Sequence, residues 1–373
     1  LRSLQFTTGL IDTPPSYTGA AKKVPTVNDS ETALVFSDVS VPNLEDSPHP
    51  VFLTTNNVIF SGNAPTSLTD LDTTVDTSAN ETGVEGSAWV YLKIVSASGT
   101  GFTIQKNGAG ANQSGSNLGS PVTDSTNTLT YAVMLTDSVG VIEWKGTATN
   151  STTITLLAYL NTVPASAVNI FDGSLTQTYQ VIDTGTKNAL CLLRIENNDV
   201  SSLNSCDVKA NWELLNGSGG PQSCNPGVGK WAYVLVPSDG AGNIQVRNDN
   251  VSARAAKIYI DSALGGGEQP RHWLHHGDYE DDVWFDIPVP YGNSLALIRF
   301  EHNSGANSQE PRWRVNGETL LAKFNGGGVM WHTGAFQEFT YALVLIKDGA
   351  FEYYNTSGEQ GEIIYLSAEL VIS

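Results

Sequence analysis

The chain is patterned as short apolar runs separated by stretches rich in glycine, asparagine, aspartate and serine. The runs are rich in β-branched and aromatic residues, which favours strands over helices. No segment keeps the apolar period of about 3.6 residues, bounded by capping residues, that a helix requires. The pattern therefore predicts an all-β protein.

The apolar runs repeat along the chain. Three of them have a single cation at the fifth position, namely Trp89 to Ile94, Leu190 to Ile195 and Leu295 to Phe300. Each is followed by an Asn-Gly pair, a second apolar run and a closing run. The Asn-Gly pairs are Asn107-Gly108, Asn216-Gly217 and Asn316-Gly317; the second runs are Tyr131 to Leu135, Trp231 to Leu235 and Tyr341 to Leu345; the closing runs are Ile154 to Leu160, Lys257 to Ile260 and Ile363 to Leu366. Equivalent positions lie 100 to 111 residues apart.

This repeat divides the chain into an N-terminal arm and three units. The arm covers residues 1–50, and the units cover residues 51–164, 165–267 and 268–373. About seven strands in a unit of this size are typical of an antiparallel β-sandwich, of either immunoglobulin-like or jelly-roll type. The three units are therefore expected to be tandem sandwiches.

Prolines dominate the arm and favour extended chain over helix. Only the runs 33–36 and 39–41 are expected to form short strands there. Leu4, Phe6 and Phe36 are among the apolar residues that favour docking of the arm on a neighbour, although an arm that hangs free is the alternative.

Alternation along the first shared run places Val90, Leu92 and Ile94 on one face, which is the expected core face. The opposite face carries Trp89 and Tyr91, and the other two units are equally apolar there. A sandwich buries one face of each sheet, so the second face needs a cover. A neighbouring unit, the arm, another subunit or a loop of the same unit could provide it.

The charge balance limits the possible partners. The chain has 38 acidic and 19 basic residues, a formal net charge of −19. This field repels phosphate backbones and anionic lipid surfaces, so neither nucleic acid nor membrane is an expected partner. No apolar run approaches the length of about 20 residues that a membrane-spanning helix needs. Because the chain begins at Leu1 rather than at a methionine, we expect a processed or excerpted product.

Candidate metal ligands are few. His272, His275 and His276 are the densest histidine group, but consecutive residues of a strand point to opposite faces and cannot share one tetrahedral ion. We expect structural histidines, with a metal site as the alternative. Two acidic groups are expected to be solvated turns, with calcium binding as the alternative; they are Asp70, Asp72 and Asp76, and Asp278, Glu280, Asp281 and Asp282.

No catalytic constellation emerges from the sequence. A nucleophile elbow and a phosphate-binding glycine loop ahead of a helix are both missing from it. We therefore expect a protein without enzymatic activity or cofactor.

The three cysteines are too few for a disulfide scaffold. Cys191 falls on a core face and is expected to be a buried free thiol. Cys206 and Cys224 bracket the run around Trp212, and we expect a disulfide between them only if they lie close together and the setting is oxidising.

The connections after the Asn-Gly pairs differ in length and content, which is common where recognition is built on a repeated scaffold. The third connection is the most aromatic and forms a candidate recognition loop that could stack on a sugar or bury in a partner. Its candidate residues are Phe324, Met330, Trp331, His332 and Phe336. Inward packing of these side chains is the alternative.

Tandem β-sandwich units, an acidic composition and an extended N-terminal arm resemble the virion structural proteins of tailed bacteriophages, of fibre, spike or capsid-decoration type. The resemblance implies a homo-oligomer, often a trimer, whose arm attaches to other virion proteins and whose distal units face a host surface glycan. It implies location in the virion. Two alternatives stay open: a prokaryotic adhesin or filament subunit at the cell surface, and the carbohydrate-binding modules of a carbohydrate-active enzyme.

Overall fold

The structure is a computed structural model, and it describes most of residues 51–265 together with short strands on either side. Within that span it describes residues 51–97, 102–108, 113–114, 127–162, 167–201, 203, 206–210 and 222–265. Outside it, only strands between residues 24 and 37 and between residues 271 and 372 are described. The described residues contain no helix, and so none that could cross a membrane. The predicted all-β class is confirmed for this part of the chain.

Residues 1–48 form a compact unit of their own. Its described strands are β1 (Val24–Val27) and β2 (Leu34–Ser37), which pair antiparallel. Strand β2 overlaps the run predicted to be a strand, whereas β1 was not predicted because it contains Pro25. A two-stranded ribbon tolerates proline, since the nitrogen that lacks a proton can face away from the partner strand. The run 39–41 lies outside the described residues.

Residues 49–373 form the second compact unit. Its first strands are β3 (Val51–Asn63), β4 (Thr69–Asp72), β5 (Ala88–Ala97), β6 (Phe102–Lys106), β7 (Gln113–Ser114), β8 (Asn127–Leu135), β9 (Val141–Gly146) and β10 (Ser151–Asn161). The next are β11 (Val168–Leu175), β12 (Gln180–Asp183), β13 (Ala189–Asn197), β14 (Cys206–Ala210), β15 (Gln222–Pro226), β16 (Trp231–Pro237), β17 (Asn243–Asn248) and β18 (Arg254–Gly265).

The remaining strands follow residue 270. They are β19 (Arg271–His275), β20 (Trp284–Asp286), β21 (Ser294–Glu301), β22 (Arg312–Val315), β23 (Glu318–Leu320), β24 (Met330–Trp331), β25 (Phe339–Ile346), β26 (Phe351–Tyr354), β27 (Gln360–Ser367) and β28 (Val371–Ile372).

The described strands of the second compact unit form six sheets. Two pairs of sheets share apolar cores, namely β28-β3-β10-β5-β8 with β4-β9-β6 and β11-β18-β13-β16 with β12-β17-β14-β15-β7. The other two sheets have the strand orders β19-β27-β21-β25-β24 and β20-β26-β22-β23. The described neighbours are antiparallel, except that β28 runs parallel to β3. The three runs with a fifth-position cation lie in β5, β13 and β21. Each of these strands has the same two neighbours, one containing the second apolar run and one containing the closing run.

The buried apolar side chains of the described residues form two cores. The first core joins β5, β8 and β10 to the smaller sheet, where Ile104, Ile142 and Trp144 are buried. The ring of Phe60 meets Trp144 edge-on, with 4.7 Å between the ring centroids. The second core lies between β11-β18-β13-β16 and the sheet that contains β12, β17, β14 and β15.

Equivalent tight turns lead from the larger to the smaller sheet around each of the two cores. The Oδ1 atom of Asp137 accepts hydrogen bonds from the backbone N–H groups of Val139 and Val141, both at 2.9 Å. The Oδ1 atom of Asp239 accepts in the same way from Ala241 and Asn243, at 2.8 and 2.7 Å. An aspartate that caps its own turn fixes the chain reversal locally.

Each of these turns also places a glycine in the left-handed region. The φ angle of Gly140 is +82° and that of Gly242 is +92°. A Cβ atom on Gly140 would lie 2.3 Å from Cγ2 of Thr74, so a side chain is excluded there by both φ and space.

Candidate functional site

Strands β13 and β16, at one side of the sheet β11-β18-β13-β16, are buried on both faces, and this joins the two cores. Alternate residues of β13, such as Cys191 and Leu193, belong to the second core. The residues between them, Leu190 and Leu192, belong to the first core together with Trp89 and Tyr91 of β5. In β5 and β13, the second apolar face predicted from the sequence is therefore covered by another part of the same chain.

We call the apolar contact of Leu190 and Leu192 with Trp89 and Tyr91 the joint. Strands β16, β18 and β25 also contribute residues to it. Tyr233 and Leu235 of β16 and Leu264 of β18 are buried in the first core, and so is Leu345 of β25. In β16 the alternate residues point the other way, since Val234 and Val236 lie in the second core. Period-two alternation thus divides β16 between two cores.

Two polar contacts cross the joint. The Nε1–H group of Trp89 donates a hydrogen bond of 2.9 Å to the Oγ atom of Ser262. The Nζ atom of Lys106 donates one of 3.0 Å to Oδ2 of Asp261, whose side chain is only 5% exposed. Both contacts connect residues of the first sheet pair with β18.

Asp261 is the centre of a small charged group. A guanidinium nitrogen of Arg194 lies 4.0 Å from Oδ1 of Asp261, and the ring of Tyr233 lies 5.8 Å from Nζ of Lys106. Burial raises the pKa of Tyr233 above its ordinary value, and the charge of Asp261 raises it further. The Tyr233 hydroxyl therefore stays protonated, and one carboxylate faces two cations. These charge contacts can fix the positions of the strands relative to one another.

One strand of the first part of the chain also pairs with a sheet on the other side of the joint. Strand β7, in the connection after Asn107-Gly108, pairs antiparallel with β15 at the edge of the second pair's smaller sheet, where Ser114 lies opposite Asn225. The differing lengths of the connections after the Asn-Gly pairs predicted outward recognition for this segment. Its described residues instead extend a neighbouring sheet, for which sequence pattern gave no signal.

One end of the second sheet pair carries exposed apolar side chains. Val200, Val228 and Val251 lie on the loops that follow β13, β15 and β17, and their exposed fractions are 91%, 53% and 89%. Trp231, at the start of the edge strand β16, is 36% exposed. We call Val200, Val228 and Val251 the apolar loop end.

Hydrogen bonds hold these loops to one another. The carboxylate of Asp199 accepts from the backbone N–H groups of Ser201 and Ala255, at 3.0 and 3.2 Å, and pairs with Arg254 at 3.3 Å. The Nδ2 atom of Asn197 donates to the carbonyl oxygens of Ser201 and Pro226, both at 3.0 Å. The valines are therefore displayed on fixed loops, and exposure of apolar groups on fixed loops is typical of a contact surface.

The residues of the predicted recognition loop are only partly described. Met330 and Trp331 form β24, where they pair with Ala342 and Tyr341 of β25. Phe324, His332 and Phe336 lie outside the described residues. Recognition by this loop stays a prediction.

The candidate metal ligands do not converge in the described part of the chain. His272 and His275 lie in β19, whereas His276 and the acidic group at 278–282 are outside the described residues. Asp72 and Asp76 accept hydrogen bonds from Thr74 and Ser78, two residues further along. These carboxylates cap local turns. No group of three metal-ligating side chains occurs among the described residues.

No model of a known protein family matches the chain, and no curated protein matches it.

Removing the Asp261 carboxylate should destabilise the joint. The substitution Asp261→Ala leaves Lys106 beside an apolar core without its counter-charge, whereas Arg194 keeps its pair with Glu196 at 3.2 Å, so we expect the free energy of unfolding to fall by about 2 kcal/mol. Urea denaturation of Asp261→Ala, Lys106→Met and the double variant measures the coupling energy of the pair.

The matched control is the exposed pair Lys257 and Asp172, 3.2 Å apart, whose side chains are 35% and 62% exposed. The same cycle with Lys257→Met and Asp172→Ala should give a coupling energy below about 0.5 kcal/mol. Equal coupling energies for the two pairs would contradict the role given to Asp261.

The loop contacts of Asp199 should be visible as an acid-shifted titration. Hydrogen bonds from Ala255 and Ser201 lower the pKa of Asp199 below its ordinary value. Its stabilising contribution is therefore present above the unfolded pKa of about 3.9 and is lost as the pH falls through the lower folded pKa. An NMR titration of the side-chain carboxyl groups should give Asp199 a pKa below about 3.9. The substitution Asp199→Asn should abolish the pH-dependent chemical-shift change of the Ala255 amide. A midpoint at or above 3.9 would contradict this assignment.

Proposed function

We propose that this protein is a non-enzymatic structural component of a virus particle, of the fibre, spike or capsid-decoration type found in tailed bacteriophages. The observation that carries the proposal is the joint, in which the apolar faces of successive large sheets form one core. A joint of this kind makes consecutive sheet pairs move as one rigid body. Such rigidity suits a structural protein that holds other components of a particle at a fixed distance.

We further propose that the three sheet pairs are three tandem β-sandwich units. The recurrent strand order around β5, β13 and β21 supports this. The turns at Asp137 and Asp239 support it independently, because hydrogen bonds to both aspartates come from the second and fourth following residues. The third sandwich and the arm of residues 1–50 are part of this proposal.

Contacts with other subunits are proposed to use the apolar loop end and the arm. The large sheet faces of β5, β13, β8 and β16 are covered within the chain, so another subunit, one of the covers that the sequence left open, is not needed there. Val200 and Val251 are the most exposed apolar side chains among the described residues. With a net charge of −19, copies of the chain repel one another, and an uncharged contact point reduces this cost.

The experiment that tests the proposal is quantification on purified particles. Particles from the culture that produces the chain are separated from cells and envelope fragments, and mass spectrometry counts copies of this chain against the major capsid protein. A fixed ratio in particles is the expected result. Recovery in the cell-envelope fraction instead would favour the adhesin or filament alternative, and glycan binding by the purified chain without particle association would favour the carbohydrate-binding alternative.

Charges on the apolar loop end should weaken particle incorporation. We expect the double variant Val200→Asp with Val251→Asp to lower the copy number in particles at least tenfold, because a carboxylate in a buried contact loses its hydration. Val139→Asp is the matched control, since Val139 is a 66% exposed valine in the Asp137 turn. The urea midpoints of all variants should equal that of the wild type. Equal incorporation of both variants would exclude the loop end as a contact.

A further inference from the structure

Two cysteines face each other across a strand pair of the second core. Cys206 of β14 lies directly opposite Cys224 of β15 in the antiparallel register. Both side chains are buried in the same core, and both are free thiols. The sequence alone left their separation open, and the register settles it.

The backbone geometry suits a disulfide. Directly opposite residues of antiparallel strands have Cα atoms about 4.5 or 5.5 Å apart. Disulfides span Cα separations of about 4.4 to 6.8 Å, so either kind of pair is within reach without a shift of the strands. A hydrogen bond with the Cys224 side chain and burial together raise the pKa of Cys206, which keeps the Cys206 thiol protonated in the closed core.

We propose that Cys206 and Cys224 form a cross-strand disulfide that fixes β15 and, through β15, the strand that crosses the joint. The oxidant is a low-molecular-weight disulfide such as oxidised glutathione. One cysteine thiolate attacks it and releases one reduced glutathione, and the second thiolate then displaces the other glutathione from the mixed disulfide. Two cysteine thiols become one disulfide, and their protons and electrons pass to two glutathione thiols.

The position of β15 gives the bond its consequence. Three residue pairs connect β15 with β14, and two connect it with β7. A short strand with so few pairs opens readily. A covalent bond from Cys224 to β14 limits that opening and keeps the edge to which β7 is joined in place. Unlike the apolar core of the joint, this contact depends on the redox setting.

Cys191 serves as an internal control. It belongs to the same core, but its neighbours across the sheet are Val236 and Ala263. Burial raises the pKa of the Cys191 thiol to about 11, so it reacts slowly. The proposal therefore assigns one bond to one pair.

Thiol counting after refolding tests the proposal. The full chain is unfolded, reduced and refolded with reduced and oxidised glutathione, because the native thiols are buried. The denatured product should then have one reactive thiol, against three after reduction with dithiothreitol. Peptide mapping should link Cys206 to Cys224. Three thiols, or a link that includes Cys191, would overturn the proposal.

Variants and hydrogen exchange separate the bond from its consequence. Cys191→Ser should leave no reactive thiol after oxidation, whereas Cys206→Ser should leave two. In the wild type, oxidation should slow amide exchange in β15 and β7, and Cys206→Ser should show no change. Bond formation without slower exchange at residues 113–114 would overturn the proposed link to the joint.

Discussion

The structure depends on two adjacent strands, β13 and β16, that are buried on both faces. Successive side chains of β13 and β16 point in opposite directions, so one set fills the second core while Leu190, Leu192, Tyr233 and Leu235 enter the first. Burying a leucine side chain stabilises a protein by roughly 1.5 to 3 kcal/mol relative to leaving it exposed. Burial of the three leucines therefore contributes at most about 5 to 9 kcal/mol. This is comparable with the whole stability of a typical domain. Separating the two sheet pairs would therefore expose apolar surface whose burial is a large part of the stability of the fold.

Apolar burial alone does not specify how two sheets are aligned, because it is non-directional. The polar contacts supply that direction. A buried indole N–H needs an acceptor, and the Oγ atom of Ser262 provides it for Trp89. The nearly buried carboxylate of Asp261 needs a donor, and Lys106 reaches it from the end of β6. Sliding of the sheets would leave these groups unpaired, which costs more than the contacts gain when formed.

The features that could be predicted from the sequence are those that arise from neighbouring residues. Alternation in Trp89 to Ile94 indicated both an inner face and a second apolar face, and the position of Cys191 indicated burial. The features that could not be predicted join distant residues, since Lys106 and Asp261 are 155 positions apart and Trp89 and Ser262 are 173 apart. Nothing in a local pattern distinguishes Asp261 from an exposed aspartate. The pairing of β7 with β15 was missed for the same reason, because a two-residue strand has no pattern of its own.

Closure of the large faces restricts where a partner can bind. Strands that are covered on both faces cannot bind another subunit through those faces without first losing a cover. Contacts with a partner are therefore left to loop ends and strand edges. Edges are generic, since any extended chain can pair with them. The loops after β13, β15 and β17 are specific, because their hydrogen bonds fix Val200, Val228 and Val251 in one arrangement. On a chain with a charge of −19, apolar side chains on preorganised loops are the place where association meets the least electrostatic and conformational cost.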